Sequence, residues 1–251
     1  RFARQFGIHY LPLIVMESQG LVEKHGNATG LPRQQVPWAT LSGGASVNDA
    51  LLSGAVDFAA SGVGPLIVLW DKSMGGKGDV KAVAAVSDVP MTLTTRNPAV
   101  KGIEDFTAND KIALPAVKTS QQAVTLQMAA AKKWGIAEYA RLDKLTVSMR
   151  HPDAAAAMMA AGQTEVAADF TAPPYDFWEL RVPGIHRVLD SYDVYGGPAT
   201  LITLNATTKY VETNPKLVKT VFDALAEAMA FIDKDRRRSA EIYVKVTKDK
   251  I

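Results

Sequence analysis

The chain has 251 residues, 47% hydrophobic and 22% charged, a balance that suits a folded globular protein of one large domain or two lobes and excludes a disordered or fibrous one. Its 28 basic and 26 acidic side chains leave a net charge of +2 with no long Lys/Arg stripe, so a nucleic-acid footprint is excluded. The absence of cysteine excludes disulfides, thiolate zinc sites and cysteine nucleophiles, and no apolar run approaches the ~20 residues of a membrane-spanning helix.

In chain order, Phe6–Tyr10 reads as a strand and Leu13–His25 as a helix interrupted by Gly20. Val36–Leu41 is a second strand, followed by Ser42-Gly43-Gly44-Ala45 and a helix that Ser46 and Asp49 are expected to open as a capping box. Gly54 closes that helix, Val56–Ala60 is a third strand, and Pro65 starts the next helix. Val80–Val86 makes a fourth strand. The glycine group Gly75-Gly76-Lys77-Gly78 lacks phosphate-loop spacing and reads as a surface loop.

The pattern then restarts with a strand at Lys111–Leu114 and a helix capped by Thr119 and Gln122. Leu145–Ser148 is a strand, Asp153–Ala161 a helix closed by Gly162, and Glu165–Ala168 another strand. Pro173-Pro174 opens a helix, and His186–Leu189 and Ala199–Leu204 are strands. A helical tail follows from Asn214-Pro215, with Leu217, Val218, Val221, Phe222, Leu225, Met229 and Ile232 at helical spacing, and a last helix over 240–251. Arg236-Arg237-Arg238, flanked by Asp233, Asp235 and Glu241, reads as a solvated helix face. Strands alternating with helices predict an α/β fold whose sheets are mainly parallel, flanked by helices. Ala50–Ser61 and Ala157–Asp169 echo one another in outline, as two lobes built on one plan would.

The sequence carries no H-E-x-x-H, no G-x-S-x-G and no G-x-G-x-x-G, and its four histidines show no metal spacing, so the chain reads as neither an enzyme nor a metal or cofactor carrier. His25 and His186 read as surface residues and His151 as part of a turn. The informative feature is a set of strand-to-helix loops: Ser42–Ala45, Ser61–Gly64, Val117–Ser120 and Asp169–Thr171. Each puts small polar groups at a helix N-terminus, where unpaired N–H groups carry partial positive charge. Any one is an ordinary turn; four of the same character point to a shared pocket for a small oxyanion, outside the carboxyl ends of the strands.

Several segments together resemble the solute-binding proteins of nitrate/sulfonate/taurine ABC importers. They are Ala50–Phe58, Lys81–Val86, Lys101–Phe106 before Lys111-Ile112-Ala113, Ala161-Gly162 before Glu165–Asp169, Pro174-Tyr175, and Asn214-Pro215. The resemblance implies a two-lobed, hinged periplasmic-binding-protein-like fold of type II. Lobe one would hold residues 1–90 plus 198–251 and lobe two 91–197, with crossovers near Met91–Thr95 and Gly196–Thr200. It implies a monomer that captures a small anionic solute outside the cytoplasm, after removal of a leader, and docks on a membrane permease. The ligand would touch His9, Tyr10, Gly43, Gly44 and Ala45, then Ser61, Gly62, Lys118, Thr119, Ser120, Phe170 and Thr171. No pocket arginine of the sulfonate-binding pattern is visible. The alternatives are a binding protein for a thiamine pyrimidine precursor or an aromatic acid, and the ligand-sensing domain of a regulator. The thiamine-pyrimidine synthases resemble the chain in outline, but their cysteine-rich segment has no counterpart here.

Overall fold

The computed structural model describes residues 1–32, 35–76, 78–160 and 164–248. From the amino end come β1 (Phe2–Arg4), α1 (Leu11–Ser18), α2 (Leu21–Ala28), β2 (Trp38–Thr40), α3 (Gly44–Leu52), β3 (Phe58–Gly62) and α4 (Val63–Ser73). Next are β4 (Val80–Ser87), β5 (Thr92–Thr95), β6 (Lys111–Leu114), α5 (Gln121–Trp134), β7 (Thr146–Ser148), α6 (His151–Met159), β8 (Val166–Thr171) and α7 (Tyr175–Glu179). The chain finishes with β9 (His186–Asp190), α8 (Ser191–Tyr195), β10 (Ile202–Thr207), α9 (Thr208–Thr213), α10 (Pro215–Lys234) and α11 (Arg236–Thr247).

These strands form two five-stranded sheets, ordered β2-β1-β3-β10-β4 and β7-β6-β8-β5-β9. Each is parallel except for one strand: β10 runs against β3 and β4, and β5 against β8 and β9. The reversal has a simple cause. β4 and β9 end on the carboxyl side of their own sheets, so the chain enters the neighbouring sheet from that same side and must run backwards through it. The expected mainly parallel α/β architecture therefore holds, with one reversed strand in each half.

The crossovers lie side by side. Leu201 N donates to Ser87 O at 2.8 Å, and Met91 and Ser191 exchange hydrogen bonds of 2.9 Å. Thr92–Thr95, expected within the first crossover, is paired as β5, which shortens that crossover to 88–91.

The core of the first half follows from the sequence pattern. Leu13, Ile14, Val15 and Met16 are all buried, because α1 is apolar all round and lies against α10 and α11. On α10, Val218, Val221, Ala224, Leu225 and Ala228 recur at helical spacing and are the buried stripe. Phe2 stacks on Trp38 at 4.3 Å and on Phe58 at 5.0 Å, its register partners on the two neighbouring strands. The basic run at 236–238 is the exposed face of α11, with Arg237 and Arg238 both paired to Glu241. No helix among the described residues is long and apolar enough to cross a membrane.

Some local expectations are corrected. The first strand is Phe2–Arg4, and Ile8–Tyr10 is a 3₁₀ turn, because Gly7 takes φ = 112° and ends the extended run. The third helix starts at Gly44 with no side-chain cap, and Ser46 faces Ser42 instead. The cap of α5 is Ser120, whose Oγ accepts from Ala123 N at 3.2 Å, while Thr119 turns back to Val117 O. Asn214 stands at the start of α10 but its amide reaches Tyr210 O, leaving the helix without a side-chain cap there. The helix closure at Gly162, Lys77 of the glycine loop and the final residues 249–251 lie outside the described residues.

Candidate functional site

The carboxyl ends of the two sheets face one another, and three contacts close the space between them. Ile8 N donates to Pro173 O at 2.9 Å. Gly43 approaches the Pro115 carbonyl so closely that a Cβ there would stand 3.2 Å from its oxygen. Gly64 N donates to Gln121 Oε1 at 2.5 Å. The cleft behind these contacts is lined by the turn after β1 (Gln5, Phe6, His9, Tyr10), by Gly44, Gly62 and Pro65, and by Leu201 and Ile202. From the second half come Pro115, Ser120, Gln121, Gln122 and His151. Its free volume is about 20 Å³, room for a single water-sized group. An organic molecule of several heavy atoms enters only if the halves part.

No Asp, Glu, Lys or Arg is among the lining residues. Instead the N-termini of α3, α4, α5 and α6 converge there, through Gly44, Gly62, Gln121 and His151. The aligned dipoles of these helices make the cleft electropositive without formal charge, although the first-turn donors of α4 are already taken, Val63 N by Leu201 O and Gly64 N by Gln121 Oε1. The same chemistry makes it a seat for an oxyanion.

Two imidazoles add side-chain chemistry. His9 is buried and its Nδ1 makes no hydrogen bond. Gly7 is what admits it, since a Cβ on Gly7 would sit 2.3 Å from the His9 ring. His151, at the first turn of α6, is also buried and lies flat against Tyr175 at 5.7 Å. Both its nitrogens are engaged: Nε2 with Gln122 Nε2 at 3.1 Å, and Nδ1 with Thr171 Oγ1 at 3.0 Å. Because an amide nitrogen only donates, His151 Nε2 accepts and its Nδ1–H donates to Thr171. Burial keeps both rings neutral. His9 is lowered to about 3 by desolvation and then by the neighbouring His151, and His151 to about 4 by desolvation.

Of the residues expected at the site, the structure brings His9, Tyr10, Gly44, Gly62 and Ser120 together on the cleft wall. Gly43 stands just behind, against Pro115. Ala45 and Thr119 line a neighbouring groove of about 150 Å³ between α3 and α4. Ser61 is fully buried and its hydroxyl oxygen accepts from Asn205 Nδ2 at 3.0 Å, within the sheet. Phe170 is fully buried opposite Leu93, on the core face of β8. Thr171 reaches the cleft only through His151. Lys118 is exposed at φ = 64°, and it is not on the wall. The alternation of a strand explains the placements of Ser61, Phe170 and Thr171: successive side chains point to opposite faces, so a run of strand residues cannot all reach one pocket.

The sequence reading missed Gln121, Gln122 and His151. His151 had a signal, since His151-Pro152-Asp153 follows a strand and opens a helix as the other site loops do. It missed as well a buried acidic group behind the cleft. Asp169 on β8 and Asp176 and Glu179 on α7 are all buried, with Thr94 Oγ1 donating to Glu179 Oε2 at 2.5 Å and Thr92 Oγ1 to Asp176 Oδ2 at 3.1 Å. Both Asp169 oxygens and Glu179 Oε1 lack a hydrogen-bond donor. Burial, then the repulsion of Glu179, raises Asp169 well above the carboxylate range, so the pair retains a proton instead of carrying two charges. Burial likewise lifts Glu179 to about 7. Among the described residues no group of His, Asp or Glu is arranged to hold a metal ion.

The same architecture occurs in known proteins. The periplasmic aliphatic sulphonate binding protein SsuA of Escherichia coli superposes with a TM-score of 0.70 at 22% identity, over 99% of this chain and 78% of that one. The alkanesulfonate-binding protein SsuA of Xanthomonas axonopodis, bound to MOPS, gives 0.76 at 19% identity, over 99% and 78%. The periplasmic nitrate-binding protein NrtA of Synechocystis gives 0.73 at 14% identity, over 97% and 64%. The fold is thus the two-lobed α/β fold of periplasmic binding proteins. No curated protein matches the sequence. The model of the NMT1-like family matches residues 6–246, nearly the whole chain, and the protein belongs to that family.

Proposed function

We propose that this chain is the solute-binding component of an ABC importer and captures a small organic anion, of the sulfonate or nitrate class, between its lobes. The observation that carries this reading is the convergence of the α3, α4, α5 and α6 N-termini on a cleft without carboxylates, with the buried ring of His9 on its wall. Such a site holds negative charge by backbone donors and neutral side chains. It supplies no nucleophile paired with a base, so it binds rather than reacts. The folds shared with sulfonate- and nitrate-binding proteins support the same class.

In this reading lobe one comprises residues 1–90 with 198–251 and lobe two residues 91–197, and the paired crossovers at 88–91 and 196–201 are the hinge. Two sheets joined only by adjacent extended segments open by rotation about them, and ligand bound to both sides favours closure. His9, Tyr10, Gly44, Gly62, Ser120, Gln122 and His151 would contact the ligand, and Thr171 would orient His151. The protein would act outside the cytoplasm as a monomer, delivering its cargo to a membrane permease.

Thermal unfolding with methanesulfonate, taurine, nitrate, short carboxylates, aromatic acids and pyrimidines tests the reading. A ligand at a hundred times its Kd stabilises the native state by about 2.7 kcal/mol, a clear shift in Tm. A shift confined to sulfonates or nitrate is the expected result. A shift only with pyrimidines or neutral aromatics, or with nothing in the panel, overturns the anion assignment.

A further inference from the structure

We infer that Gln121 is the clasp that holds the closed form: its side-chain amide, carried by lobe two, caps helix α4 of lobe one and ties that cap to the hinge. The inference rests on the two-lobe reading above, and it assigns closure to a side chain that belongs to the protein itself.

Helix α4 begins without a cap of its own, because its N-cap residue is Gly62. The first-turn N–H groups are orphans in any helix and need outside acceptors. Val63 N finds one in Leu201 O at 3.3 Å, on the second crossover. Gly64 N finds the other in Gln121 Oε1, from a residue on the opposite sheet's helix α5. The amide is held in that orientation by its other end. Gln121 Nε2 donates to Tyr195 OH at 2.8 Å, and Tyr195 OH meets Thr125 Oγ1, which itself donates to Gln121 O at 2.8 Å. Tyr195 is the last residue of α8, directly before the crossover that begins at Gly196. One side chain therefore links the α4 N-terminus, α5 and the end of the hinge.

The close approach is built into the backbone. A Cβ on Gly62 would lie 2.7 Å from the Gln121 Cβ, and one on Gly64 would lie 3.1 Å from Gln121 Oε1 and from Val124 Cγ2. Gly62 is what lets α5 come near enough for the amide to reach, and Gly64 keeps the contact tight. In an opened molecule Gly64 N faces water, so the hydrogen bond contributes to the closed form alone.

The chain has no cysteine, so Lys216→Cys on α10 and Lys144→Cys before β7 give two unique attachment points, one on each lobe. Pulsed electron spin resonance on that doubly labelled protein reads the interlobe distance directly, with no ligand added. The unmodified clasp is expected to give a short-distance population. Q121A should reduce it about fivefold relative to the long one, the weight of one ordinary hydrogen bond. Q121E keeps an acceptor of the same length beside the α4 N-terminus and should restore it. G62A should reduce it by steric obstruction even if Q121A folds poorly. A short population that survives both Q121A and G62A, or one absent before any substitution, overturns the clasp. Because no ligand is present, a failure of the anion panel together with a Q121A-dependent distance would sink the solute assignment and leave the clasp standing.

Discussion

His9 and His151 face each other across the cleft, one from the turn after β1 and one from the start of α6, with ring centroids 6.3 Å apart and planes at 85°. The two rings are not equivalent. His151 has a hydrogen bond on each nitrogen, whereas His9 keeps Nδ1 unpaired. In the proposed binding role an oxyanion would take its side-chain hydrogen bond from His9, and His151 would serve as wall.

His9→Ala is accordingly expected to weaken binding of the anion found by thermal shift by about ten- to a hundredfold, the value of a hydrogen bond to a charged group. Thr171→Val should have a smaller effect, because it frees the His151 ring without removing it. Titration calorimetry on both variants decides the matter. Equal losses would show that the asymmetry between the rings carries no weight.

The same two rings set an acid limit on stability. In the unfolded chain both take up protons near 6.5, but in the fold only near 3 and 4. Between those values the unfolded state binds more protons, so stability falls as the pH drops. Their contribution is complete above pH 6.5 and is lost progressively as pH falls through about 4 and then 3. Urea midpoints measured from pH 7 to pH 4 should decline, and His151→Gln should flatten the slope. An anion in the cleft favours the protonated rings, so its affinity should rise over the same acid range.

The Asp169–Glu179 pair works in the opposite direction. Burial raises Glu179 from 4.5 to about 7, so the native state holds a proton that the unfolded chain has released. That stabilisation is complete below pH 4.5 and disappears as pH rises through about 7. Glu179→Gln keeps an acceptor for Thr94 and offers Asp169 an N–H donor without a titratable charge. At pH 8 it should stabilise the protein by about 1–3 kcal/mol. Denaturation curves showing E179Q less stable than the parent at pH 8 would refute the retained proton.

Leu13 is fully buried on α1. Leu13→Ala is expected to cost about 2–5 kcal/mol, lowering the denaturant midpoint without changing its slope. A loss below 1 kcal/mol would mean that α10 and α11 close over the deleted methyl groups.

The sequence by itself determined the alternation of strands and helices, the restart after the fourth strand, and the family to which the chain belongs. Those features rest on local pattern. Apolar runs such as Leu13–Met16 can only be buried, and Gly54, Gly20 and Pro215 punctuate elements wherever they are placed. It brought out the strand-to-helix loops at 42–45, 61–64 and 117–120 for the same reason, since a short polar turn is visible in a window of a few residues, whereas Asp169–Thr171, read as a fourth loop, is the end of β8.

Tertiary structure decided which of those loop residues meet. Whether Ser61 faces the cleft or Asn205 depends on strand register against β10, 142 residues away at the Thr203–Ser61 hydrogen bond. Gln121 became a cap for Gly64 only because the tertiary fold sets α5 of one half against α4 of the other. His151 read as a turn residue until β7 and β6 paired and set α6 facing the His9 turn. In each case the deciding contact is a hydrogen bond or ring contact between residues far apart in sequence, and its geometry is fixed by sheet pairing and not by any neighbour along the chain.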